Sequence, residues 1–387
     1  MNYRPARRLA DIEPFHVVEL LTRARQLESE GRDIIHMEVG EPDFPTPEPI
    51  TKAAVAAIQG GKTLYTQALG LPELRTAISD FYRERYGVAV AASRIAITNG
   101  ASGALNLAFA ALANPGDEWL LADPGYPCNR HILRTYEGCP ISMPVGPDSN
   151  FQPTPAMLRQ YWNEKTAGLL VASPANPTGT LLTLAEIEAL AAVCRVKQGH
   201  FLVDEIYHGL TYEIAAPTAS AAGDDIWVIN SFSKYFQMTG WRLGWMVIPE
   251  AYVRDVEKLA QNLVLCPSTP AQHGALAAFA PDTIAILEER RAEFRHRRDF
   301  LAPALEAIGF RVTARPEGAF YLYCDCSALA DDSFALARDL LEKTGVAATP
   351  GLDFGSNAPE KHIRFAYTTG VPRLAEAVER LRRYFGR

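Results

Sequence analysis

Cysteine is scarce in this 387-residue chain: there are six, Cys128, Cys139, Cys194, Cys266, Cys324 and Cys326, none in C-x-x-C spacing. That argues against a disulfide framework, and a reducing cytoplasm is the expected compartment. The Cys324-x-Cys326 pair closes an apolar stretch, FYLYCDC, where cysteine serves as a small hydrophobe. The eight histidines never form H-E-x-x-H, so no metal site is expected. No apolar run approaches the roughly 20 residues that a membrane-spanning helix needs. The stretch MNYRPARRLADIEPF carries positive charge with no apolar run behind it, so no secretory signal is expected. Positive charge is not in excess either: 38 Lys and Arg stand against 45 Asp and Glu, a net charge of -7. This balance gives no general attraction to nucleic acid or to an anionic membrane. The most basic stretch, RRAEFRHRR at Arg290–Arg298, lies in a long amphipathic pattern and is expected to be a solvated helix face.

What is present is an ordinary globular composition, 48% hydrophobic and 21% charged, in a chain long enough for a large domain and a smaller one. From about residue 90 to 250, short apolar runs alternate with helical patterns: RIAIT (94–98), EWLLAD (118–123), AGLLVAS (167–173), HFLVDE (200–205), DIWVINS (225–231) and LGWMVIP (243–249). Runs apolar on both faces predict strands sandwiched between helices. The expected fold is α/β: a large domain with a mostly parallel sheet flanked by helices, plus a smaller α+β domain. The smaller one is built from the N-terminal segment and the C-terminal third. The expected divisions are residues 1–44 (N-terminal arm and part of the small domain), 45–280 (large domain) and 281–387 (small domain).

Function is signalled by the residues just past each apolar run, because open α/β sheets bind ligands beyond the carboxyl ends of their strands. RIAI leads into Thr98-Asn99-Gly100-Ala101-Ser102-Gly103, LLAD into Pro124-Gly125-Tyr126-Pro127, and LLVA into Ser173-Pro174-Ala175-Asn176-Pro177-Thr178-Gly179. FLV leads into Asp204-Glu205-Ile206-Tyr207, and WVIN into Ser231-Phe232-Ser233-Lys234. Taken alone, the small residues of TNGASGAL fit a tight turn with a glycine cap better than an anion at a helix N-terminus; Ser231, Ser233 and the forked donors of Arg242 strengthen the phosphate reading. Asp204 fits a turn cap, and equally a carboxylate paired with a protonated ring nitrogen. Tyr207 fits a core tyrosine or a contact to the same ring. Lys234, among small polar residues rather than in a charged cluster, fits a nucleophilic amine whose pKa is lowered by desolvation and nearby positive charge.

With VGEPDFPTP (39–47), YTQALGLPELRTAI (65–78), SPANPTGT (173–180), VDEIY (203–207), SFSKYFQMTGWRLGW (231–245) and HIRFAY (362–367), the chain resembles the class I/II aminotransferases of the aspartate aminotransferase fold, fold type I. The resemblance spans nearly the whole sequence. It implies pyridoxal 5′-phosphate as cofactor, with Lys234 as the Schiff-base lysine that also moves the proton between substrate and cofactor. Asp204 matches the pyridinium partner, Asn176 and Tyr207 the hydrogen-bond partners of the ring's phenolic oxygen, and Tyr126 the stacking aromatic. Ala101, Ser102, Ser231 and Arg242 match the phosphate clamp. Tyr65 matches a residue that reaches the other subunit's phosphate, which implies a homodimer with shared sites. Arg364, helped by the Gly40 backbone and Asn176, matches the group that binds the substrate α-carboxylate. The implied reaction moves an amino group from an L-amino acid to a 2-oxo acid through a pyridoxamine intermediate. C–S β-lyases and acyl-transferring synthases share the same residues and are the alternative. Residues 261–276 (QNLVLCPSTPAQHGAL) contain no lysine or arginine for a second carboxylate, which favours neutral or aromatic donors, with Phe15, His16 and Val17 expected at the side-chain end.

Overall fold

The apolar runs in the middle of the chain pair side by side in one seven-stranded sheet. The computed structural model describes residues 4–314 and 316–387; the first three residues of the N-terminal arm, and Arg315, lie outside the described residues. Ahead of the sheet come α1 (His16–Ser29), the short β1 (Ile35–His36), α2 (Glu48–Gln59) and α3 (Pro72–Tyr86). Then β2 (Ile95–Thr98), α4 (Gly100–Leu112), β3 (Glu118–Asp123), α5 (Pro127–Thr135) and β4 (Cys139–Pro144) succeed one another. The series closes with α6 (Pro155–Tyr161), β5 (Thr166–Ala172), α7 (Leu184–Val196), β6 (His200–Asp204), β7 (Trp227–Ser231) and β8 (Gly244–Val247). Spatial order is β2-β8-β7-β6-β5-β3-β4. Only β8 runs against its neighbours; the other pairings are parallel.

Burial explains why these runs are strands. Every residue of β2, β7 and β8 is buried, so both sheet faces are covered, and β-branched and aromatic side chains fill the two layers between sheet and helices. Strand β4 is not among the expected strands. Its sequence, CPISMP, carries two prolines and alternates poorly, which the lattice of hydrogen bonds tolerates only at an edge, where one side of the strand has no partner. Local signals start the helices: Thr183 and Glu186 form a capping box ahead of α7, and α2, α3 and α5 begin with proline in the first turn.

Beyond the sheet come α8 (Val253–Leu263), α9 (Thr269–Leu276) and the long α10 (Pro281–Glu306), then β9 (Arg311–Val312), β10 (Tyr321–Asp325) and α11 (Ser333–Asp339). The chain ends with β11 (Val346–Ala347), β12 (Thr349–Pro350), β13 (His362–Ala366) and α12 (Val371–Phe385). An antiparallel sheet of order β12-β13-β10-β9 forms in this third, and β1 pairs in parallel with β11, tying the N-terminal segment to it. No described helix is long and apolar enough to cross a membrane.

The basic stretch of α10 is not a solvated face throughout. Arg297 and Arg298 are buried. Arg297 bonds Asp43 at 2.7 Å and lies 4.9 Å from the Phe44 ring; Arg298 bonds Glu213 at 2.5 Å and lies 4.7 Å from the Tyr212 ring. Long arginine stems cover apolar surface while their heads pair, so a charge run can sit at an internal seam.

Candidate active site

Lys234 stands in the turn that leaves β7. Ser231 Oγ accepts from Ser233 N at 3.0 Å, which closes the turn and aims the next side chain inward. The ammonium donates to the Gly40 carbonyl at 2.7 Å and lies 6.0 Å from the ring centroids of Tyr207 and Phe320. Burial lowers its pKa to about 8; Arg364 and Arg242 push the same way, and Glu41 and Asp204 oppose them.

Asp204 ends β6 and is buried. One of its oxygens accepts from Ile206 N at 3.1 Å, so it does cap the turn. Burial raises its pKa to about 7, against the pull of that bond and of Lys234. No described cation forms an ion pair with it. Strand alternation points the next residue, Glu205, the other way, where Thr218 Oγ1 and the Ala219 amide satisfy it within the core.

Arg364 sits on β13, opposite Tyr323 of β10 and Thr349 of β12. Its Nη1 donates to Asn176 Oδ1 at 2.9 Å, and its Nη2 to the Glu38 carbonyl at 2.6 Å and to Thr349 Oγ1 at 3.1 Å. The guanidinium lies over the rings of Tyr321 and Phe354, with centroids 4.2 and 4.9 Å away. Its Nε is buried without a partner, and among the described residues no carboxylate pairs with it. A buried guanidinium balanced only by neutral acceptors suits an arriving carboxylate.

Lys234 and Arg364 face one cavity of about 210 Å³, to which Gly40, Tyr126, Asn176 and Tyr207 also contribute; Asp204 is buried and is not part of its lining. A second cluster forms where α4 begins. Arg242 reaches over this turn so closely that a Cβ on Gly100 would meet its Nη2 at 2.6 Å. Gly244, paired with Ser231 across β7 and β8, lies against the Ala101 amide, where a Cβ would come within 3.0 Å. Ala101, Ser102, Ser231 and Arg242 are thus gathered around one helix N-terminus. Tyr65 belongs to neither cluster: it is 82% exposed, beside Leu64 at 81%.

The sequence pattern described as Aminotransferase class I and II matches residues 32–381. The chain belongs to this family. It is 38% identical to a valine–pyruvate aminotransferase of Mycobacterium tuberculosis, over 96% of both chains. It is 34% identical to an aspartate/prephenate aminotransferase of Thermus thermophilus, over 99% of both. Among solved structures, an aminotransferase from Mycobacterium tuberculosis superposes with a TM-score of 0.96 at 37% identity, over the full length of both chains. An aspartate aminotransferase from Thermus thermophilus with maleate gives 0.93 at 34% identity, covering 98% of this chain and 99% of that one.

Several residues of this aminotransferase's cavity are invisible to motif reading. Tyr321 donates or accepts a 2.8 Å bond with Tyr207 through the two hydroxyls, and its ring lies on Arg364. Glu38, Thr349, Asp353 and Phe354 also line the cavity. Their one signal in the sequence is position, since Thr349 opens the TPG turn ahead of HIRFAY, with Asp353 and Phe354 just after it. At the side-chain end, Phe15 and Val17 line the cavity, with Val18 and Leu21 beside them. His16 does not: its ring packs edge-on against Phe334, 5.6 Å away, because successive residues entering a helix point in different directions.

Proposed function

We propose that this aminotransferase is a pyridoxal 5′-phosphate enzyme that moves the amino group of a neutral or aromatic L-amino acid to a 2-oxo acid. The observation that carries the reading is that Lys234, with its lowered pKa, and Arg364, with no carboxylate partner among the described residues, line the same cavity. The residues present also fit the cofactor. Asp204, a buried carboxylate with no ion pair among the described residues, would hold a protonated ring nitrogen, and its own burial would be relieved by that charge. Arg242, Ser231, Ala101 and Ser102 would hold the phosphate at the start of α4. Asn176 and Tyr207 would bond the phenolic oxygen, and Tyr126 would cover the ring face.

When bound, the cofactor supplies an aldehyde for the amine and a ring that withdraws electrons from the substrate Cα. The chain's own residues do the rest. Arg364, steadied by Asn176, the Glu38 carbonyl and Thr349, grips the α-carboxylate and so fixes how Cα faces Lys234. Lys234 Nζ takes the proton from Cα and later returns one. The preference for neutral donors is supported by the wall of Phe15, Val17, Val18, Leu21 and Phe354. It is supported too by Lys234 and Arg364 being, among the described residues, the only lysine or arginine lining the cavity. Exposed Leu64, Tyr65, Leu263 and Leu265 suit a homodimer contact through which Tyr65 would reach the partner's phosphate site. The scattered cysteines suit the cytoplasm.

The test is a visible absorption spectrum of the protein with pyridoxal phosphate, before and after each of a panel of amino acids. Loss of the aldehyde-form band with release of the matching 2-oxo acid is expected, most readily for neutral or aromatic donors. Pyruvate and ammonia with the band retained would make it a β-lyase. No band at all would refute the cofactor assignment, and aspartate as the best donor by a wide margin would refute the donor class.

A further inference from the structure

Helix α1 starts without a cap of its own. Phe15 stands at the N-cap position and offers no side-chain acceptor. The first N–H groups of a helix have no intrahelical partner and need one from elsewhere. Here it comes from the far end of the chain. Asp353 Oδ1 accepts from His16 N at 2.8 Å, and Asp353 Oδ2 accepts from Val17 N at 2.8 Å, across more than 330 residues of sequence separation. A carboxylate is the best acceptor for this place, because its charge also meets the positive end of the helix dipole.

Asp353 is itself immobilised. Only 3% of it is exposed, and its carbonyl accepts from Arg130 Nη2 at 2.8 Å. Arg130 lies on α5, whose first residue comes directly after Tyr126. The loop has no slack at Gly351 either, where a Cβ would overlap the Pro359 carbonyl. One residue therefore ties the start of α1 to the helix that begins beside the stacking tyrosine. Both Asp353 and the α1 residues Val17, Val18 and Leu21 line the cavity that holds Lys234 and Arg364. Each of its oxygens accepts from a backbone amide, so this carboxylate serves as an anchor for the helix start.

We propose that Asp353 is a positioning residue for donor specificity: it fixes the first turn of α1, and with it the apolar wall of Phe15, Val17, Val18 and Leu21 against which the donor side chain packs. The inference rests on reading the cavity as the amino-acid site. It makes the donor preference depend on a hydrogen-bond clamp at a residue that need not touch the donor.

Asp353→Asn tests it. The amide oxygen can accept from one of the two N–H groups, while the amide nitrogen turns its hydrogens toward the other. Two measurements on the full-length, cofactor-loaded protein are required. Amide hydrogen exchange over residues 16–21 is expected to speed up by about tenfold or more. KM for bulky neutral donors is expected to rise about tenfold with kcat changed by less than about threefold, and KM for alanine to move less. Val17→Ala, which trims the wall and keeps the clamp, is expected to shift the same donors without changing exchange at His16. Unchanged exchange in Asp353→Asn overturns the clamp. Equal losses for every donor, or a change confined to cationic donors, overturn the specificity role. If exchange rises but the unaltered protein transaminates no amino acid, the clamp stands, and the specificity role falls with the assigned reaction.

Discussion

Lys234 Nζ donates to the carbonyl of Gly40, 194 residues away in sequence, at 2.7 Å. A neutral carbonyl holds the ammonium in place without the strong stabilisation that an ion pair would give its charge. This is consistent with burial lowering the pKa to about 8. The amine is therefore expected to become reactive toward an aldehyde within the ordinary working range. Reductive trapping of pyridoxal phosphate on Lys234, read by mass spectrometry of the peptide, should rise with a midpoint near pH 8. Lys234→Ala should trap nothing there and lose about 10³-fold or more in turnover. Retained turnover in that variant would remove Lys234 from the centre of the site.

Arg364→Lys is expected to behave nearly as badly as Arg364→Ala. The guanidinium makes three hydrogen bonds, to Asn176, the Glu38 carbonyl and Thr349, while lying over the rings of Tyr321 and Phe354. A lysine supplies charge but neither the planar fork nor the stacking. For both variants kcat/KM should fall about 10²-fold or more for every amino acid, with the cofactor absorbance retained. A defect limited to one donor would mean that Arg364 reads the side chain instead of the α-carboxylate.

Gly40→Ala probes the packing around Tyr321. The new Cβ would overlap Tyr321 Oη and lie 3.1 Å from its Cζ. Tyr321 has nowhere to retreat, because its hydroxyl bonds Tyr207 at 2.8 Å and its ring carries Arg364. Overpacking of this kind destabilises by about 1–3 kcal/mol. Removing the hydroxyl with Tyr321→Phe should recover part of that loss, so thermal melts of the two single variants and the double variant should be clearly non-additive. Simple addition of the two effects would mean that the hydroxyl does not set the clearance.

The parts of the candidate site that motif reading singled out lie at or just past the ends of apolar strands: Asp204, Ser231, Lys234 and Asn176 are residue types that burial disfavours, and Tyr126 follows the LLAD run. Tyr321 and Asp353 give no such contrast. A tyrosine in FYLYCD looks like any sheet residue, and an aspartate in a loop looks solvated until its amide partners, over 330 residues away, are known. The same physics separates the elements. Strands covered on both faces announce themselves by continuous apolar runs, whereas β4, at the sheet edge, does not. Arg297 and Arg298 mislead for a related reason, since their partners Asp43 and Glu213 come from distant segments.

His36 links stability to pH through the same scaffold. Its Nδ1 lies 2.6 Å from Glu38 Oε1 and its Nε2 lies 3.0 Å from Glu28 Oε1, and Glu38 is the residue whose carbonyl holds Arg364. The bond to Glu38 is the main cause that raises the His36 pKa to about 9, with Glu28 adding to it and burial opposing. A pKa raised in the folded state means that the folded protein binds the proton more tightly than the unfolded chain. The resulting stability is fully present below about pH 6.5, the unfolded value, and is lost as pH rises through about 9. His36 is partly exposed, so solvent screening reduces the full linkage to about 1–2 kcal/mol. His36→Gln should therefore lower unfolding stability by about that amount at pH 6 and by much less at pH 10, in urea titrations of the two proteins side by side. An equal difference at both pH values would show that His36 acts through packing, and that its charge does not brace the segment carrying Glu38.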